Sequence, residues 1–352
     1  AAHMITPNHN PWHPNDWQAE LKQAFRAPKA LLEYLGISNV AANGIDLQPH
    51  FALLVPRGYA QRIERGNVQD PLLRQVLSLQ SENEQTPGFV VDPLQEGNVE
   101  LGYGQTPGLL HKYQGRVLMI TTPACAINCR YCFRRHFPYT DHKPKDQHLA
   151  LEVIAQDTSI REVILSGGDP LLMNDDGMAA LIRNIDALVH VKRIRIHSRL
   201  PIVLPERVTI DLVATLASAR CKITMVIHSN HPNELNETTQ RALECLRGAG
   251  VTLLNQSVLL KGINNDAPTL IKLSEQLFDQ GVLPYYLHMP DRVVGTAHFY
   301  LDDSEAQPIY EAMREQLPGY LLPRLVRELP GGIAKTPVNF EQRQPLNFQT
   351  NI

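Results

Sequence analysis

The chain has 352 residues, room for one large domain with an accessory segment or for two domains. It is 43% hydrophobic and 20% charged, with a formal net charge of -3, ordinary values for a soluble globular protein. No long run of Lys or Arg offers a nucleic-acid footprint, and no apolar stretch is long enough to cross a bilayer. Ala1-Ala2-His3-Met4 has neither the basic nor the apolar region of a signal peptide, and the three residues before Met4 read as a cloning remnant. The five cysteines comprise a close trio, Cys125, Cys129 and Cys132, and two single residues, Cys221 and Cys245. An odd count without a secretion signal argues against a disulfide framework and fits a reducing cytoplasm. Cys221 and Cys245 read as small apolar core residues.

In chain order, residues 1–110 read as a mainly helical, irregular region. Asp16–Phe25 and Asp70–Gln80 have helix-like apolar spacing with Asp at the start. Residues 86–109 are rich in Gly and Pro and read as extended loop. From 116 the pattern changes. Short apolar runs at 116–121, 162–165, 193–197, 222–228, 252–258 and 283–288 predict strands. Amphipathic stretches between them, at 178–188, 210–219, 237–248 and 269–281, predict helices. Strands alternating with helices imply parallel βαβ units. Six such units over 111–318 fit an incomplete TIM-like (βα)6 barrel or, alternatively, an open doubly wound sheet. Residues 319–352 form a C-terminal segment, with a further extended stretch expected at 320–329. The predicted strand ends carry Cys125, Gly167-Gly168-Asp169, His197, His228, Gln256 and His288. Barrel enzymes build their sites at that end.

The densest motif is Cys125-Ala-Ile-Asn-Cys129-Arg-Tyr-Cys132-Phe133. Three thiolates from one loop can hold three corners of a four-iron cluster and leave the fourth iron open. A zinc site completed by His136 or a distant Cys is the alternative. Ser166-Gly167-Gly168-Asp169-Pro170 reads as a strand-to-helix turn whose glycines permit close backbone approach. Pro330-Gly-Gly-Ile-Ala-Lys335-Thr-Pro337 places a lysine after a glycine-containing turn. That suits an amine that holds pyridoxal phosphate (PLP), and equally an isolated surface lysine.

The cysteine motif, after a first strand and with an aromatic beside its third Cys, resembles the signature of the radical S-adenosylmethionine (SAM) superfamily. Residues 90–340 as a whole resemble its lysine 2,3-aminomutases. The likeness includes His111-Lys112-Tyr113-Gln114-Gly115-Arg116, Arg130 through Phe137 and the Lys335 loop. The segments 132–139, 195–202 and 284–288 are most similar to members that supply (R)-β-lysine for modification of elongation factor P. The short chain beyond Lys335 agrees with that likeness.

The resemblance implies a [4Fe-4S] cluster on Cys125, Cys129 and Cys132, SAM cleaved there to a 5′-deoxyadenosyl radical, and PLP on Lys335 beside Tyr113 and Arg116. It implies SAM contacts from Ser166, Gly167, Gly168, Asp169, Ser198, Arg199, His228 and Gln256. Arg134 would clamp the substrate carboxylate, and Asp291 with Glu328 would receive the distal amine of lysine. The last assignment has its own rationale, because a buried ammonium needs paired acids. The free-lysine enzymes are expected to have Asp where this chain has Glu328, and the extra methylene shortens the room for substrate or moves its tether. The implied reaction is an isomerisation of α-lysine to β-lysine. Elongation factor P or its modifying ligase would be a partner, with no nucleic acid or membrane involved. An aminomutase for another amino acid, a radical SAM enzyme without PLP in which Lys335 is structural, and a zinc- or cluster-binding protein that recognises a translation factor are the competing readings. The sequence leaves the oligomeric state open.

Overall fold

The computed structural model describes residues 10–96, 106–136, 144–332 and 334–340. Among the described residues, nine strands form one sheet in sequential order: β1 (Leu109–Tyr113), β2 (Arg116–Thr122), β3 (Glu162–Gly167), β4 (Arg193–Ser198), β5 (Lys222–Ile227), β6 (Thr252–Val258), β7 (Leu283–His288), β8 (Arg324–Arg327) and β9 (Thr336–Pro337). Neighbours from β2 to β8 pair in parallel, while β1 on β2 and β9 on β8 are antiparallel. Strictly sequential parallel order is the winding of a barrel; a doubly wound sheet would reverse its order at a switch point. The fold is therefore the α/β partial barrel, with β8 as a seventh parallel strand.

The helices are α1 (Asp16–Lys22), α2 (Pro28–Leu35), α3 (Arg57–Ala60), α4 (Pro144–Gln156), α5 (Asp175–Asp186), α6 (Leu200–Val203), α7 (Ile210–Ser218), α8 (Glu237–Gly248), α9 (Ala267–Asp279) and α10 (Asp303–Gln316). Capping side chains fix where the barrel helices begin. Asn174, Thr209, Asn236, Asp266 and Asp302 each accept a hydrogen bond from a backbone N–H of the first turn of α5, α7, α8, α9 and α10. Those donors would otherwise be orphaned. Val163, Leu165, Ile194, Ile196 and Met225 of β3–β5 pack with Leu181, Ile185, Leu243 and Leu246 of α5 and α8 in the main core. Leu287, Met313 and Leu325 of β7, α10 and β8 belong to a second apolar cluster.

In the N-terminal region the helix expected from Asp16 is present as α1, but the one expected at 70–80 is not: those residues contain a 3-10 turn, Leu73–Gln75, and the first residue of another, Gln80–Asn83. Asp70 does act as a cap, accepting from the N–H groups of Leu72 and Leu73. However, the Gln75 carbonyl is taken by the Arg130 N–H at 2.8 Å, and Leu72, Leu73, Val76 and Leu77 are all buried. Tertiary pairing outweighs the local helical pattern here. Cys221 and Cys245 are buried, as expected.

Candidate active site

The parallel strands deliver their C-terminal ends to one side, where the cysteine loop follows β2. That loop is anchored from the N-terminal region. Asn128 donates from its backbone to Leu54 O at 3.0 Å and from its side chain to Ala52 O at 2.8 Å. Arg130 is fully buried and donates to both oxygens of Glu82 and to Phe51 O. From the other side β3 presses in. A Cβ at Gly168 would lie 2.0 Å from Ala124 O, and one at Gly167, whose φ is +125°, would lie 2.8 Å from Thr122 O. The two glycines thus bring the backbone against the cysteine loop itself.

Burial, with repulsion from the neighbouring thiols, pushes Cys125 well up and Cys132 up to about 11. A cationic iron core at the thiolates would remove that cost. Cys129 Sγ accepts from Arg199 Nη1 at 2.6 Å. The same guanidinium donates through Nη2 to Glu234 Oε1 at 2.6 Å and Gln75 Oε1 at 2.7 Å. Arg199, expected at SAM, thus holds one of the three motif thiols. Asp169 is likewise engaged, accepting from Ser198 Oγ at 2.7 Å and from the Leu171 and Arg199 N–H groups. Its carboxylate and Ser198 tie the end of β3 to the end of β4. His136, the candidate fourth zinc ligand, contacts Val294 O through Nε2 at 3.2 Å. Among the described residues no group of three His, Cys, Asp or Glu is arranged to hold a metal ion.

Deeper along the strand ends, His228 Nε2, Gln256 Oε1 and His288 Nε2 are buried without a hydrogen-bond partner among the described residues. They belong to consecutive strand ends, β5, β6 and β7. Each orphaned polar atom costs about 1–3 kcal/mol, so three side by side fit a polar ligand that completes them. Burial holds His228 down at about 4 and His197 and His288 well below the usual imidazole range. All three are neutral at physiological pH, and the His197 and His228 rings lie 5.7 Å apart.

Beside these lies a group of charged side chains. Glu328, just after β8, accepts from Tyr113 Oη at 2.9 Å, Lys335 Nζ at 3.1 Å and Lys112 Nζ at 3.5 Å. Burial alone would raise its carboxyl, but Lys335, Lys112 and the Tyr113 hydroxyl hold it well below the usual range. Asp291 is pushed up to about 7, by burial first and by Glu328 second. The Arg116 guanidinium stacks 4.3 Å from the centre of the Tyr113 ring. Lys335 Nζ lies 5.7 Å from the centre of the Tyr286 ring. Arg134 donates through Nε and Nη2 to both oxygens of Glu96, at 2.7 and 2.8 Å, and through Nη1 to Ser166 Oγ at 3.4 Å.

The structure thus brings Tyr113, Asp291, Glu328 and Lys335 into one electrostatic group. Sequence reasoning missed Glu96, Lys112 and Glu234 as members of these networks. Glu96 stands in an irregular segment, and only its partners 16 and 38 residues away in the chain, Lys112 and Arg134, reveal it. Lys112 stood in a segment noted for its likeness but without a role.

Comparison with known proteins shows the family. Residues 119–273 match the profile of the Radical SAM superfamily. The L-lysine 2,3-aminomutase of Escherichia coli (strain K12) is 46% identical over 97% of this chain and 99% of its own length. That of Haemophilus influenzae is 45% identical over 91% of this chain and 95% of its own. That of Clostridium subterminale is 33% identical over 92% of this chain and 78% of its own. Such enzymes are isomerases that use a [4Fe-4S] cluster, SAM and PLP. The three thiols and the row of orphaned polar atoms fit these groups. When bound, cluster and SAM supply hydrogen-atom abstraction and PLP carries the migrating nitrogen. The chain belongs to the lysine 2,3-aminomutases of the radical SAM superfamily.

Proposed function

We propose that this chain converts L-α-lysine to (R)-β-lysine, with the product destined for elongation factor P. One observation carries the substrate reading: Glu328 already holds a lysine ammonium, that of Lys335 at 3.1 Å, beside the half-buried Asp291. A pocket with two acids at its far end receives the distal ammonium of lysine, whereas the distal carboxylate of glutamate would meet like charge there. When Lys335 serves PLP, the substrate's ammonium takes over its partner and the buried charge stays balanced.

The other roles follow the arrangement. Cys125, Cys129 and Cys132 hold the cluster, with Arg199 against Cys129. His228 and Gln256 offer their orphaned atoms to SAM, and Asp169 with Ser198 shapes the wall beside it. Lys335, Tyr113 and Arg116 serve PLP; a guanidinium suits its phosphate. Arg134 receives the substrate carboxylate. These side chains bind, orient and exclude water, because radical transfer demands close approach. The delivery to elongation factor P, or to the ligase that modifies it, is supported by the likeness of 132–139, 195–202 and 284–288.

The test is an anaerobic assay of reconstituted protein with SAM, PLP, a reductant and α-lysine, with glutamate and arginine as competitors for the assignment. β-Lysine, read by mass spectrometry and dependent on all three additions, is the expected product. 5′-Deoxyadenosine without β-lysine, or a β-amino product from another amino acid, would overturn the substrate assignment. Transfer of the product to elongation factor P by its ligase tests the destination separately.

A further inference from the structure

Glu96 is the most deeply buried acid of the charged group: its side chain is 2% exposed, against 18% for Glu328. It lies in an irregular segment that crosses the loop after β7, where Val90 bridges Val293 and Leu94 is buried. Nothing in such a segment requires a buried carboxylate for folding. Its oxygens are nevertheless fully committed to cations. Oε2 accepts from Arg134 Nε, and Oε1 accepts from both Arg134 Nη2 and Lys112 Nζ, the latter at 2.6 Å. Burial would raise this carboxyl, but Arg134 and Lys112 hold it below the usual range.

Two consequences follow from this geometry. First, the side edge of the Arg134 guanidinium is fixed in a two-point grip, which defines its plane and directs Nη1 towards Ser166. Second, Lys112 bonds both Glu96 and Glu328, so a chain of ion pairs joins Arg134 to Lys335. The groups assigned to opposite ends of the substrate are therefore held at one span. Without the Glu96 charge, Arg134 and Lys112 would face each other as like charges.

We propose that Glu96 is a positioning residue: through its two-point grip on Arg134 and its bond to Lys112, it sets the guanidinium that receives the substrate's carboxylate. This rests on the reading of Arg134 given above.

The experiment compares L-lysine with 1,5-diaminopentane, which is lysine without its carboxylate, by anaerobic calorimetry on the holoenzyme. Wild type should prefer lysine. In Glu96→Gln, which keeps the shape and removes the charge, lysine should bind about tenfold more weakly while 1,5-diaminopentane is unchanged. Glu96→Asp, which keeps the charge, should recover part of the preference and carries the test if Glu96→Gln does not fold. A wild type that binds both ligands equally would remove Arg134 from the carboxylate and the proposal with it. A wild type that prefers lysine, with variants that prefer it as strongly, would overturn the role of Glu96 alone. Equal weakening of both ligands would show general damage to the pocket and would also overturn it.

Discussion

Asp291 and Glu328 lie within electrostatic reach of each other, and their surroundings shift their carboxyls in opposite directions. Glu328 has three hydrogen-bond donors and stays charged. Asp291 is held up at about 7 by burial and by Glu328. An arriving ammonium favours the charged form of Asp291, so binding lysine near that pH should release a proton. Affinity should therefore rise as pH rises through about 7, with the fully charged pocket binding best. Calorimetry in buffers of different ionisation enthalpy measures the proton release, and Asp291→Asn should flatten the pH dependence. For the free protein the sign is opposite. The folded state keeps the Asp291 proton that an unfolded chain gives up near pH ~3.9, so its stability falls as pH rises from there to about 7. Lys335→Ala should lose the near-visible absorbance of covalently held PLP, and retention of that band would reassign the lysine. At this scale the cysteine trio and the Lys335 loop stand out in the sequence because each is a short motif. Glu96 was not legible, because a single acid in a loop acquires meaning only from the cations that fold against it.

The elements were legible where their periodicity was strong. The six apolar runs became β2 to β7 with ends shifted by a residue or two, and 237–248 became α8 at the expected bounds. The antiparallel edge strands were missed for physical reasons. β1 turns back on β2 through Gln114-Gly115, with Gly115 at a φ of +72°, and β9 has only two residues, too few to show alternation. α10 contains Pro308, which reads as a breaker from sequence, yet its Asp302 cap and buried Ala306 and Met313 sustain the helix. The glycine pair after β3 was legible as a turn, while its true neighbour, the cysteine loop, was not. Gly168→Ala tests that contact. Its Cβ would be driven into Ala124 O at 2.0 Å, against backbone that cannot rotate away. We expect a loss of stability of about 1–3 kcal/mol or more and reduced iron incorporation, read by thermal unfolding and iron content. A variant with normal iron content would show that the loop tolerates displacement.

On the scale of the whole molecule, the N-terminal region and the barrel meet at the cysteine loop. Residues 10–96 supply Ala52, Leu54, Gln75 and Glu82 to it, while the barrel supplies Arg199 and Glu234. This explains why the first part of the chain was the least readable: its structure is dictated by a surface formed far downstream, not by its own periodicity. Glu82 is the strongest of these ties. It pairs with the fully buried Arg130 through both oxygens and with Arg135 at 2.9 Å, with Phe51 stacked against both guanidiniums. Removing one charge from a buried pair typically costs about 3–5 kcal/mol, because the partner is left uncompensated. Glu82→Gln should lose stability of that order, and it should also free the loop segment between Cys129 and Cys132 that Arg130 anchors. The second effect separates a local tie from general packing. Iron release to a chelator under anaerobic conditions should accelerate in Glu82→Gln well below its unfolding temperature. In a variant of equal thermal loss placed in the second apolar cluster, such as Met313→Ala, release should follow global unfolding alone. If the two variants release iron at the same rate, the N-terminal region supports the fold without governing the cluster site. If Glu82→Gln is faster, closure of the N-terminal region over the loop is what retains the cluster.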